Sequence, residues 1–304
     1  MYNRVDPDTA SSSCCCFSLE GFKRFMAYYQ RPIAILAMLA HMFQFIIVLA
    51  LRFSIGRLKS GGGEIPVYYP VQHWYVLDAN STAVYSRHVT LEPAFTFSIP
   101  VLIIMFFGWS WFFMMFYLYW LMKDPKNITM DVVLSSIRWR YAEYSVSAAG
   151  MIMGIAVEAG VTDVYTLFSF AVFIFVTNMI GLVADLLFDV ASQSISMIWN
   201  VQRIAWGTVV FPFVVICSAF FVNISFNPVR PPWFVYTVIF QMFGMFAVFG
   251  LVQVWDFLCR PSLYTPPRLK EHYEFITAMY DLLSLTTKSS LAWFILIPVI
   301  QGMF

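Results

Sequence analysis

The chain has 304 residues, of which 60% are hydrophobic, 19% aromatic and only 12% charged, with a mean hydropathy of +0.73. A soluble domain of this length carries far more charge on its surface, so the composition excludes one and specifies a polytopic membrane protein. The net charge of +1 supplies no overall field for nucleic acid or acidic partners.

Residues 1–31 are polar and end in the basic residues Lys23, Arg24 and Arg31. They read as a short cytoplasmic N-terminal segment ahead of a bundle over 32–304. No apolar run preceded by positive charge occurs in the first 30 residues, so no cleavable signal peptide is expected and the first span serves as its own signal. The five cysteines, Cys14, Cys15, Cys16, Cys217 and Cys259, have neither metal-ligand spacing nor a disulfide framework. Cys14 to Cys16 form a candidate S-acylation run; the alternative is a disordered, reduced tail.

Runs long enough to cross the bilayer fall at about 32–52, 94–121, 131–157, 164–187, 197–222, 233–258 and 274–303. The fold expected is an all-α membrane protein of seven transmembrane helices. The long loop at 53–93 alternates apolar residues at Val67, Tyr69 and Val71, which predicts a short β-hairpin over the bundle mouth. With the N-terminus inside, nine lysines and arginines lie on the cytoplasmic side and five opposite, four of those in or at the edge of the long loop. Long segments translocate largely regardless of charge, so the count predicts a cytoplasmic N-terminus and an extracellular C-terminus. Asn80 then becomes a glycosylation acceptor and Asn223 a weaker one, whereas Asn127 faces inside.

The ionisable residues well inside the spans are His41, Arg138, Arg140, Glu143, Asp185, Arg203, Asp256, Asp281 and Lys288. Most lie close enough to an end to reach an interface. His41, Glu143 and Lys288 do not, and they lie roughly 14, 18 and 21 Å from the cytoplasmic end at the α-helical rise. Lys288 is too deep to snorkel, an intramembrane lysine marks a functional site by default, and Glu143 is the carboxylate at matching depth. The alternative for Glu143 is a local pair with Arg140 at i−3. Ser284 lies one turn before Lys288, Ser147 one turn after Glu143, and Asp281, Ser284 and Lys288 form one stripe. His41 and Gln44 share a face of the first span, where helix-to-helix hydrogen bonding is the plainer reading.

A desolvated lysine amine is a nucleophile for an aldehyde, and the cationic adduct needs a buried anion. Phe240, Phe243, Phe246 and Phe249, with Met242 and Met245 between them, offer a lining for a long polyene, although such a stripe is commonly ordinary packing. The aldehyde chromophore that suits this site is retinal.

The segment Arg-Trp-Arg-Tyr-Ala-Glu-Tyr-Ser-Val-Ser at 138–147, with Ser284 four before Lys288 and His41 three before Gln44, resembles the heliorhodopsins over essentially the whole seven-helix region. The predicted orientation matches that family's inverted topology. The resemblance implies a rhodopsin-like bundle with all-trans retinal in the dark on Lys288, as a protonated Schiff base with Glu143 as counterion. Ser284 would hydrogen-bond beside it, and His41, Gln44, Ser147 and Ser98 would belong to the chromophore surroundings. A second histidine, expected one turn after a serine in the second span, is missing, since Leu102 stands four after Ser98.

The implied function is light sensing, with a slow photocycle coupled to signalling rather than pumping. The implied partners are retinal, the lipid bilayer, a second copy in a homodimer and an unidentified cytoplasmic signalling partner, with no metal and no enzymatic activity. The alternative is a light-gated proton conductor, which needs carboxylates leading out of the core, such as Asp281 on the inner side and Glu158 and Asp163 on the outer.

Overall fold

The structure is a computed structural model that describes residues 16–55, 63–76, 85–123, 130–190, 195–226, 228, 230–260 and 266–301. In chain order its elements are α1 (Cys16–Tyr28), α2 (Gln30–Ser54), β1 (Glu64–Val76), β2 (Tyr85–Ser98), α3 (Ile99–Lys123), α4 (Met130–Glu158), α5 (Val164–Val190), α6 (Ile195–Phe226), α7 (Trp233–Cys259) and α8 (Pro266–Gln301). The helices α2 to α8 are the seven expected spans. Six of them contain an 18-residue stretch apolar enough to cross a membrane. The seventh, α4, carries Arg138, Arg140 and Glu143 and so misses that composition while retaining the length.

Local chemistry sets the helix ends. The close of α4 is a Schellman motif: Val161 N–H donates to Ala156 O and Gly160 N–H to Val157 O, both at 2.9 Å. Gly160 takes φ +92°, the left-handed conformation this cap assigns to glycine. Asp163 then caps α5, its Oδ2 accepting from Thr166 N–H at 2.7 Å.

The expected hairpin is present but it is not short. β1 and β2 pair antiparallel from Glu64↔Ser98 to Val76↔Tyr85, with a bulge between Val67 and Tyr68 that leaves Ala94 as the extra residue. The second span consequently starts at Ile99 rather than near 94. The residues before it are apolar enough to extend a hydropathy window, and periodicity alone does not separate an apolar strand from a helix start. Val67 and Phe97 are buried against the bundle, and Tyr68 N–H donates to Thr162 O at 2.9 Å, which fastens the hairpin to the α4–α5 turn.

Part of the polar N-terminal segment is helical. Residues 16–28 form α1, which packs along α8. Met26 and Ala27 join a buried cluster with Phe275, Ile276 and Tyr280, and Arg24 meets Glu271 at 3.6 Å. Cys14, Cys15, Asn80 and Asn127 lie outside the described residues. Asn223 lies inside α6 with its amide donating to Ala159 O at 2.8 Å, an engagement that leaves it unsuited to glycosylation.

The two halves of the bundle differ in chemistry. The largest apolar cluster lies toward the hairpin, where Val67, Phe97, Ile99, Ile103, Leu296 and Val299 meet. The half toward α1 holds most of the buried polar groups described below. Large apolar side chains such as Phe43, Phe168 and Phe221 are exposed on the outer faces, as lipid-facing positions require.

Candidate cofactor site

Lys288 of α8 and Glu143 of α4 meet in the bundle interior, 3% and 5% exposed. Lys288 Nζ contacts Glu143 Oε1 directly and donates to Ser110 Oγ at 2.7 Å. Ser110 Oγ in turn donates to Glu143 Oε1 at 2.6 Å. Three helices thus supply a closed triangle of cation, anion and hydroxyl, which is how two charges persist away from water. The Tyr144 ring lies 5.2 Å from Nζ, within cation–π reach.

Ser110 was not among the residues singled out from the sequence. Its signal is a lone hydroxyl about halfway along α3 in the run Phe-Phe-Gly-Trp-Ser-Trp-Phe-Phe. Ser98, the serine that was singled out in the second span, closes β2 opposite Glu64. It stands twelve residues before Ser110, roughly 18 Å along the helix axis, and is not brought to the site. Position 114, four after Ser110, is methionine, so no histidine occupies that place in the corrected register.

The other expected residues divide. Ser284 and Ser147 line the cavity beside Lys288. Gln44 Nε2 donates to Ser289 Oγ at 2.8 Å, a helix-to-helix bond that fixes α8 next to its lysine. His41 is fully buried beside Phe107, with ring centroids 5.8 Å apart, and neither ring nitrogen meets a hydrogen-bond partner among the described residues. Arg140 does not pair with Glu143: it stacks 4.4 Å over the Tyr280 ring and approaches Asp185 at 3.8 Å.

From Lys288 a cavity of about 110 Å³ runs between α4, α5, α6, α7 and α8. On this measure a single water needs about 10–15 Å³, so the space is that of a sizeable ligand. Its walls are mainly apolar and aromatic, with Tyr144, Met151, Trp206, Phe246, Phe249 and Tyr280 prominent. Only half of the phenylalanine stripe of α7 takes part. Phe240 and Phe243 are 51% and 45% exposed, and neither Met242 nor Met245 lines the cavity. Residues three apart on a helix drift about 60° per step, so a four-member i+3 series winds from one face to the other. Gly250 matters here, because a Cβ at that position would lie 2.5 Å from Trp206 Cζ2.

Toward α1 the cavity ends on a buried ionic network. Gln253 Nε2 donates to Tyr141 Oη at 2.8 Å and Tyr141 Oη to Asp185 Oδ2 at 2.7 Å. Arg260 bridges Asp185 Oδ1 at 2.6 Å and Asp256 Oδ2 at 2.5 Å, and His272 Nε2 lies 2.7 Å from Asp256 Oδ1. Of these groups, Asp185 and Asp256 were expected to reach an interface. They are buried because α8 begins at Pro266, ahead of the expected 274, and α1 packs against it.

The pairing, the cavity and the network stand on a fold seen in known rhodopsins. The chain superposes on the blue light-absorbing proteorhodopsin from Med12 with a TM-score of 0.54 and 8% identity, covering 90% of this chain and 99% of that one. It superposes on Exiguobacterium sibiricum rhodopsin with a TM-score of 0.58 and 10% identity, covering 91% and 98%. At these identities the likeness establishes the fold alone. No curated protein sequence matches the chain. The heliorhodopsin family model matches residues 31–300, nearly the whole seven-helix region, and the chain therefore belongs to the heliorhodopsin family.

Proposed function

We propose that the chain is a light sensor that carries all-trans retinal in the dark on Lys288, with Glu143 as counterion, and that its output is a conformational signal rather than ion pumping. Retinal binding and light sensing follow from the family; the residue assignments are inferred from the site. The observation that carries them is Lys288 Nζ held by Glu143 and Ser110 at one end of an apolar cavity. That cavity suits a polyene, being aromatic-walled and lined by Lys288, whose amine meets the buried Glu143.

Retinal supplies an aldehyde that condenses with the Lys288 amine and a polyene that isomerises on absorbing light. The chain supplies the rest. Glu143 and Ser110 hold the proton at Nζ, Tyr144 shields it, and Ser284 and Ser147 offer hydroxyls within a turn of the pair. Trp206, Phe246 and Phe249 confine the polyene and exclude water.

The network of Gln253, Tyr141, Asp185, Arg260, Asp256 and His272 ties α4, α5, α7 and α8 together at the cavity's end. A cavity-wall shift that moves Gln253 or Tyr141 therefore acts on four helices at once, which is the coupling a switch needs. In the orientation predicted from lysine and arginine placement, those ends face the cytoplasm, where a signalling partner would read them, and the protein works as a homodimer. Light-induced currents in voltage-clamped cells test this function. A photocycle with no steady current is the expected result, and sustained current at zero voltage without a gradient overturns it. A current that follows the proton gradient would instead establish a light-gated conductor, the reading favoured by the inner carboxylate Asp281.

A further inference from the structure

We propose that Asp281 exchanges a proton with Lys288 Nζ on the α1 side of the bundle. The proposal rests on Lys288 being the retinal-bearing lysine. Asp281 is 5% exposed and stands seven residues before Lys288 on α8, on the same face and about 10 Å along the axis. Its Oδ2 is buried and meets no hydrogen-bond partner among the described residues.

The other buried carboxylates of this half of the bundle are used structurally. Asp185 takes Tyr141 and Arg260, and Asp256 takes Arg260 and His272. Asp281 instead lines a second cavity, of about 20 Å³, together with Glu143, Ser284, Arg140, Tyr117 and Tyr144. Phe113, Met114 and Trp139 complete its walls; about 10–15 Å³ on this measure holds one water, for which Glu143, Asp281 and Ser284 offer polar partners.

Ser284 lies one turn from Asp281 and one turn from Lys288, and it faces both this cavity and the larger one. On α8 the Ser284 hydroxyl thus stands between Lys288 and Asp281, and Glu143, which meets Nζ, lines the same small cavity as Asp281. Arg140 and the phenols of Tyr117 and Tyr144 are the remaining ionisable groups facing it. In the transfer the N–H bond at Nζ breaks and an O–H bond at Oδ2 forms, relayed by the Ser284 hydroxyl or the single water. The return step is the reverse, and no electrons change hands.

The test is light-minus-dark infrared spectroscopy of the retinal-loaded protein, with and without ¹³C-labelled aspartate, beside flash absorption of the parent, Asp281→Asn and Asp281→Glu. The expected result is an aspartate carboxylic-acid signal in the parent that Asp281→Asn abolishes. The proton step at Nζ should slow in that variant on the order of 100-fold, and Asp281→Glu should recover much of the rate. A parent with a visible band but no aspartate signal overturns the proposal and leaves the retinal site standing, even where Asp281→Asn does not fold. An unchanged proton step in a coloured Asp281→Asn does the same. A parent that forms no visible band removes the retinal reading and the proposal with it.

Discussion

Ser110 Oγ donates to Glu143 Oε1 at 2.6 Å, so the carboxylate facing Lys288 is held from α3 as well as from α8. The pair is accordingly a fixed structural unit even in the retinal-free protein, and its members are not equivalent to replace.

Glu143→Ala leaves Lys288 as a buried cation with the Ser110 hydroxyl and the Tyr144 ring but no anion beside it, and should destabilise the retinal-free protein by about 3–5 kcal/mol. Replacing Lys288 and Glu143 together by apolar residues should cost much less, and Ser110→Ala about 1–3 kcal/mol. Unfolding midpoints in detergent measure all three. Equal losses in the single and double variants would mean that the two charges do not compensate one another.

Arg260 holds Asp185 and Asp256 apart as charges and together as ligands. Arg260→Met should lower stability by about 3–5 kcal/mol, since it removes the cation shared by two buried carboxylates and leaves them Tyr141, Arg140 and His272. Adding Asp185→Asn and Asp256→Asn should return part of that. Thermal denaturation of the single and triple variants decides whether the network is an ionic unit or a set of independent contacts.

The cavity wall makes a steric prediction. Gly250→Ala places a methyl against Trp206, and overpacking of about 1–3 kcal/mol should weaken retinal uptake roughly tenfold. Gly250→Ala with Trp206→Phe should regain uptake, because the indole's outer ring is what the methyl meets. Titration of the retinal-free protein with retinal, followed by its absorption, reads both; full-strength uptake by Gly250→Ala would place the chromophore elsewhere.

What could be read from the sequence follows from what depth and periodicity encode. Seven spans and the facing of Lys288 and Glu143 come from lengths and from counting residues inward, and both quantities survive folding. Ser110 escaped because a survey of ionisable groups passes over a neutral hydroxyl, although its place midway in an otherwise apolar helix was visible. Arg140, Asp185 and Asp256 are buried for a tertiary reason: distance to a helix end says nothing about whether another helix covers that end, and α1 and the first turns of α8 do. Ser98 was misplaced because the apolar end of β2 runs into α3 without a compositional break. Phe240 and Phe243 were set on the wrong face because an i+3 series does not stay on one side of a 3.6-residue helix.

Retinal attachment at Lys288, as proposed above, has a direct test. Membranes expressing the parent and Lys288→Ala, each given all-trans retinal, test it by absorption spectroscopy. The expected result is a visible band in the parent that is absent from the variant. A parent without the band, or a variant that keeps it, would contradict the assignment of Lys288.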